Sequence, residues 1–134
     1  MKFAEDPPWM CYYDRAEHLG STGKAMIPVA VARRRIDPAA PRIEQAILLQ
    51  DENYPRSRTF SRTRLATLTM RIGEPRVAAG LGLEALDDAA QLRSQRVRDE
   101  SRDLAAATTR HRRIAEVTEL RHAIAALPDL EAIP

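Results

Sequence analysis

The chain has 134 residues, 44% of them apolar and only 4% aromatic, with a formal net charge of +2. That length suits one domain with one continuous core, which must be mainly aliphatic and small. The near-balanced charge argues against a strong basic field of the kind nucleic-acid binders cluster into a stripe. A lone Cys excludes an internal disulfide. No apolar run approaches the roughly 20 residues of a membrane span, and no basic-then-apolar leader opens the chain. A cytoplasmic protein is the expectation.

Residues 1–8 are charged and Pro-rich and are expected to be irregular. The stretch PPWMCYYD, Pro7 to Asp14, holds the only Trp, the only Cys and two of the three Tyr. Asp14 can cap a short helix, answered by Glu17 three residues on, and Gly20 is expected to stop it. Ser21 or Thr22 can start the next helix, which Pro28 should kink or break. In IDPAAP, Asp37 is a cap and Pro38 a first helical position. Ile43, Ala46 and Ile47 give that helix, ending near Gln50, its buried stripe.

Tyr54-Pro55 interrupts the helical pattern, and a long helix is expected from about Arg56 to Ile72, with Leu65, Leu68 and Ile72 on one face. GEP at 73–75 is a turn and a Pro start. The helix after it runs to about Leu92 with a small face, Ala78, Gly82, Ala85 and Ala89, which lets a neighbour come close. Ser94 caps a helix to about Thr109 with Val97 and Leu104 inward. The last helix carries Ile114, Val117, Leu120, Ile124 and Leu127. Pro128 ends it, and 128–134 reads as a tail. The expected fold is a single all-α domain over 1–134 of about seven helices, a stack of antiparallel hairpins. Ala66, Ala78 and Ala85 mark where two helices of a hairpin cross. Their spacing resembles a degenerate tetratricopeptide repeat of about 34 residues.

The combination DPPWMCYYD, STGKA, YPRSRTFSRTRLATLTMRIGEPRVAAGLGLEALDDAAQLRSQRVRDE and VTELRHAIAAL, covering about Glu5 to Leu127, resembles one family. It looks like the tetratricopeptide-like C-terminal half of actinobacterial regulators that carry an Xre-type helix-turn-helix at the N-terminus. Trp9, Tyr12, Tyr13, Asp14, Thr22, Gly23, Arg56, Ser57, Arg58 and Phe60 carry the likeness. The resemblance implies a domain that receives a signal (a protein, a peptide or a small-molecule effector in the concave groove) and often dimerises, frequently beside genes of secondary metabolism. No helix-turn-helix precedes the shared region, so direct DNA binding is not expected. The family usually has an aromatic at Cys11, an acidic residue at Ser21 and a His at Lys24, and no proline at Pro28. These departures fall in the first hairpin.

Trp9, Tyr12 and Tyr13 would either cap the stack or line its groove. Arg58 and Arg62, four apart and on one helix face, are either an exposed surface paired with nearby carboxylates or a basic groove wall. Binding is therefore assigned to Trp9, Tyr12, Tyr13, Arg58 and Arg62. A catalytic reading would need Cys11 activated by His18 or Lys24, and would make the chain a small biosynthetic enzyme or ligand-sequestering protein of a natural-product pathway. His18, His111 and His122 lack metal-ligand spacing, so no metal and no cofactor is expected. Asp87-Asp88 and Asp99-Glu100 are adjacent pairs on different helix sides and read as solvated faces. Arg33-Arg34-Arg35 and Arg110-His111-Arg112-Arg113 fall at expected helix ends, where cations are favourable.

Overall fold

The computed structural model describes residues 8–50 and 54–128, with side chains from Arg15 onward. The described residues are helical and contain no strand. Six helices have eleven residues or more: α1 Pro8–Ala25, α3 Ala40–Gln50, α4 Pro55–Ile72, α5 Pro75–Ala90, α6 Gln95–Ala107 and α7 Ala115–Ala125. A seventh, α2 Ile27–Arg33, has seven, and a 3₁₀ turn, Thr108–His111, follows α6.

The caps are those the sequence favours. Ser94 Oγ accepts the Val97 N–H at 3.3 Å, and Glu74 Oε1 accepts the Arg76 N–H at 3.3 Å. Pro55 and Pro75 occupy the first turns of α4 and α5, where a missing N–H costs nothing. Pro28 does the same for α2. Having no N–H, it ends the α1 ladder, and the chain bends at Met26. Asp37 lies in a turn before α3 and pairs with Arg35 instead of opening a helix at Pro38.

The start of the chain differs from expectation. Helix α1 begins at Pro8 rather than after Asp14, and passes through Gly20 without stopping. Gly20 is there for proximity. A Cβ on it would meet Gln50 Nε2 at 3.3 Å and Ala46 and Ser61 at 3.9 Å. At Gly23 the approach to α3 is tighter still: a Cβ would lie 2.6 Å from Ile43 Cγ1 and 3.2 Å from the Ile43 nitrogen. The helix-propensity cost of about 1 kcal/mol per glycine is offset by this contact. Thr22, expected as a helix start, is interior, its hydroxyl donating to the His18 carbonyl at 2.9 Å.

The hairpins are α1/α3, with α2 inside the connection, α4/α5 and α6/α7. Helix α4 is the centre: it packs on α3, α5 and α6 and touches α1 and α2, while α7 seats on α5. One core cluster lies between α2, α3 and α4, with Ala30, Ala40, Ile43, Leu65 and Leu68; the other lies under α4 to α7, with Met70, Ala79, Leu86, Leu104, Val117 and Leu120. The small face of α5 works as its composition suggests. Ala78, Gly82, Ala85 and Ala89 are buried, and a Cβ on Gly82 would sit 2.8 and 2.9 Å from the two Leu120 methyls.

Helix α4 also buries Thr59, Ser61, Thr63 and Thr69. Thr59, Thr63, Thr67 and Thr69 each donate to the carbonyl four residues back, at 2.7 to 2.9 Å. Ser61 donates to Gln50 Oε1 at 2.8 Å. A buried hydroxyl costs little once its proton has an acceptor, so a polar helix can serve as the middle of a dry stack.

Candidate functional site

Five side chains on α4 recur at helical spacing along the face left uncovered by α3 and α5: Ser57, Phe60, Arg64, Thr67 and Arg71. They form the floor of a trough. Helix α1 contributes Glu17, Gly20, Ser21 and Lys24 as one wall, and α6 contributes Arg96, Glu100 and Asp103 as the other. The trough has a compartment of about 270 Å³ near Ser57 and Phe60, and one of about 170 Å³ near Thr67; Lys24 and Arg64 border both. Arg71 borders the second compartment and a further cleft of about 530 Å³ at the C-terminal end of α4. Three helices that do not follow one another in sequence therefore build one concave surface.

Its polar groups are held in place. Phe60 has the Arg64 guanidinium 5.1 Å and the Arg96 guanidinium 5.2 Å from its ring centre, both within cation–π range. Arg64 Nε also donates to Glu100 Oε1 at 3.0 Å, while Glu100 Oε2 is buried with no partner. Ser57 Oγ donates to Glu17 Oε1 at 2.9 Å. A hydroxyl bonded to a carboxylate without a nitrogen base is oriented rather than activated as a nucleophile. The arrangement offers an aromatic platform, two positioned guanidiniums, an exposed ammonium at Lys24 and a Glu100 carboxylate with one oxygen unpartnered.

Of the binding residues expected from sequence, Arg58 and Arg62 lie off the trough. Arg62 Nη1 meets Asp88 Oδ2 at 2.7 Å and Arg58 Nη2 meets Asp88 Oδ1 at 3.4 Å, which ties α4 to α5. Asp88 is thus partly buried rather than solvated, and so is Glu100 of the other adjacent acidic pair; Asp87 and Asp99 are exposed as expected. The side chains of Trp9, Cys11, Tyr12 and Tyr13 lie outside the described residues. His18 is exposed and does not line the trough; Lys24 does. Arg64 belongs to the basic segment RSRTFSRTR that the sequence offers as a groove wall, whereas Arg96 and Thr67 are not marked by the sequence as site residues. The three-and-four spacing from Ser57 to Arg71 was the available signal.

Among the described residues no group of three or more His, Cys, Asp or Glu side chains could hold a metal ion. No described helix is long and apolar enough to cross a membrane. Compared with family models, with curated proteins and with solved structures, the chain has no significant match in any of the three.

Proposed function

We propose that the chain is a non-enzymatic binding module whose trough over α4 takes an extended segment of a partner protein or peptide. Its role is regulatory, as in the sensing half of the Xre-type regulators that the sequence resembles. The observation that carries this reading is the floor itself: Phe60 under two guanidiniums, in line with Ser57, Thr67 and Arg71, walled by α1 and α6.

Dimensions favour a chain segment over an enclosed small molecule. From Ser57 to Arg71 the axis runs about 21 Å, the reach of roughly six extended residues. Each inner compartment, about 270 and 170 Å³, is smaller than the roughly 300 to 1,000 Å³ that drug-sized ligands occupy. A mixed lining of Lys24, Arg64 and Arg96 with Glu17, Glu100 and Asp103 suits alternating polar side chains and backbone amides. An aromatic or apolar anchor would sit against Phe60.

The test is selection from a random displayed-peptide library on the immobilised protein, followed by anisotropy titration of an enriched peptide. Phe60→Ala and Thr67→Trp, the second filling the trough, should each weaken binding at least tenfold. Val77→Ser, an exposed α5 position outside the trough, should not. No enrichment, or peptides that bind both trough variants as well as the parent, would overturn the reading.

A further inference from the structure

Arg34 and Arg110, one from each arginine-rich run and 76 residues apart in sequence, come together in the structure. The cleft of about 530 Å³ at the C-terminal end of α4 is lined by Arg34 after α2, Arg71 from α4, and Arg110 and His111 from the 3₁₀ turn. Val31, Ile72 and Gly73 complete the lining, which contains no carboxylate. Arg33, Arg35, Arg112 and Arg113, the neighbours of these groups in sequence, are all exposed. We propose that this cleft is a binding site for a diphosphate group, whether free or carried on a nucleotide-sized molecule.

The plainer account is that these cations only neutralise helix C-termini, and magnitude decides against it. Three helices, α2, α4 and α6, end here, each presenting about half a negative charge. Against them stand Arg33, Arg34, Arg35, Arg71, Arg110, Arg112 and Arg113. Asp37 takes up Arg35, Arg110 Nη2 donates to the Arg71 carbonyl at 3.2 Å, and Arg112 Nε donates to the Thr109 carbonyl at 3.3 Å. Carboxylates in the vicinity are engaged or turned elsewhere: Glu74 caps α5, Glu116 pairs with Arg76, and Asp103 lines the next compartment along the trough. A surplus of positive charge remains at this end of the stack: Arg34, Arg71 and Arg110 line the cleft itself, and Arg112 and Arg113 line a second cleft that shares Arg110 and His111 with it.

A second, independent feature is the backbone at Arg34. It is the one described non-glycine residue with positive φ, at 54°, closing α2 with its N–H donating to the Ala30 and Val31 carbonyls. Glycine takes this left-handed position at least cost. Here the position is held by an arginine, and that arginine lines the cleft. Guanidiniums present paired donors that match phosphate oxygens two at a time, which a single ammonium does not. The volume accepts inorganic diphosphate with room for an organic portion against Val31 and Ile72.

The test is calorimetric titration of the full chain with sodium diphosphate, with ADP, and with a short DNA duplex. Saturable one-to-one binding of diphosphate is expected. Tighter binding of ADP would place an organic portion against the apolar wall; equal binding would make the anion itself the ligand. Arg34→Gly should weaken diphosphate binding at least tenfold while its melting temperature stays level or rises, since glycine relieves the left-handed backbone. That separates loss of the site from loss of the fold. Arg71→Gln with Arg110→Gln should abolish binding. Phe60→Ala should leave it unchanged, which separates this site from the peptide trough although Arg71 borders both. No saturable binding of diphosphate, binding indifferent to Arg34→Gly and the Arg71/Arg110 pair, or binding of the duplex alone would overturn the proposal; the last would make this end a polyanion-binding surface.

Discussion

Arg62 Nη1 donates to Asp88 Oδ2 over 2.7 Å while Arg58 Nη2 holds the other oxygen at 3.4 Å, so one carboxylate on α5 locks two successive turns of α4. Arg58 Nε is already buried without a partner. Removing the acid strands two partly buried guanidiniums, which costs more than the ion pair itself contributes. Asp88→Ala should lose about 2 kcal/mol of stability in urea denaturation, and Asp88→Asn distinctly less, because the amide oxygen still accepts. A loss below about 0.5 kcal/mol for Asp88→Ala would mean that the lock is ornamental.

Two glycines on one helix should respond in opposite directions. A Cβ on Gly80 meets nothing within 4 Å, whereas one on Gly82 would collide with Leu120 at 2.8 and 2.9 Å and Leu104 at 3.2 Å. Gly80→Ala should therefore stabilise by about 0.5 to 1 kcal/mol through helix propensity alone. Gly82→Ala gains the same propensity but should be destabilised by about 1 to 3 kcal/mol from overpacking. Thermal melts of the pair give the comparison; equal shifts would refute the close α5–α7 approach.

Arg98 is 5% exposed, its Nη1 donates to the Ala89 carbonyl at 3.4 Å, and its Nε has no partner. No ion pair accompanies this charge among the described residues. Replacing a buried, poorly compensated charge with an apolar side chain of similar length is often neutral or stabilising. Arg98→Met should match or exceed the parent in chemical denaturation. Arg98→Ala, which leaves a cavity, should lose about 2 kcal/mol.

The buried Ser61–Gln50 bond at 2.8 Å joins α4 to the end of α3. Gln50→Leu leaves the Ser61 hydroxyl without this acceptor and should cost about 1 to 3 kcal/mol, while Gln50→Leu with Ser61→Ala should recover most of that. A double-mutant cycle measures the coupling. Additive losses would show that the two side chains do not depend on each other.

Much of the fold is legible in the sequence because its signals are local. Ser94, Pro55, Pro75 and the GEP turn act within one helical turn of where they stand, and the small face of α5 needs no knowledge of its partner to be recognised. Gly20 misleads because its role is set by Gln50, 30 residues on, and not by its own backbone. The same holds for the site. That Arg58 and Arg62 share a face is readable, but that Asp88 waits opposite them is a tertiary fact. Arg34, Arg71 and Arg110 look like three unrelated helix endings until the stack brings those endings side by side.

The threonines of α4 carry a consequence for assembly. Half of its buried side chains are hydroxyls, beside Leu65, Ala66, Leu68 and Met70, so it brings less oily surface than a fully apolar rod would with which to recruit neighbours. Its shelter comes from hairpins on both flanks. Open solenoids can shed a terminal unit and remain ordered, but trimming either flank here would wet the middle rod. The three hairpins should consequently melt as one unit, with no stable two-hairpin remnant along the way.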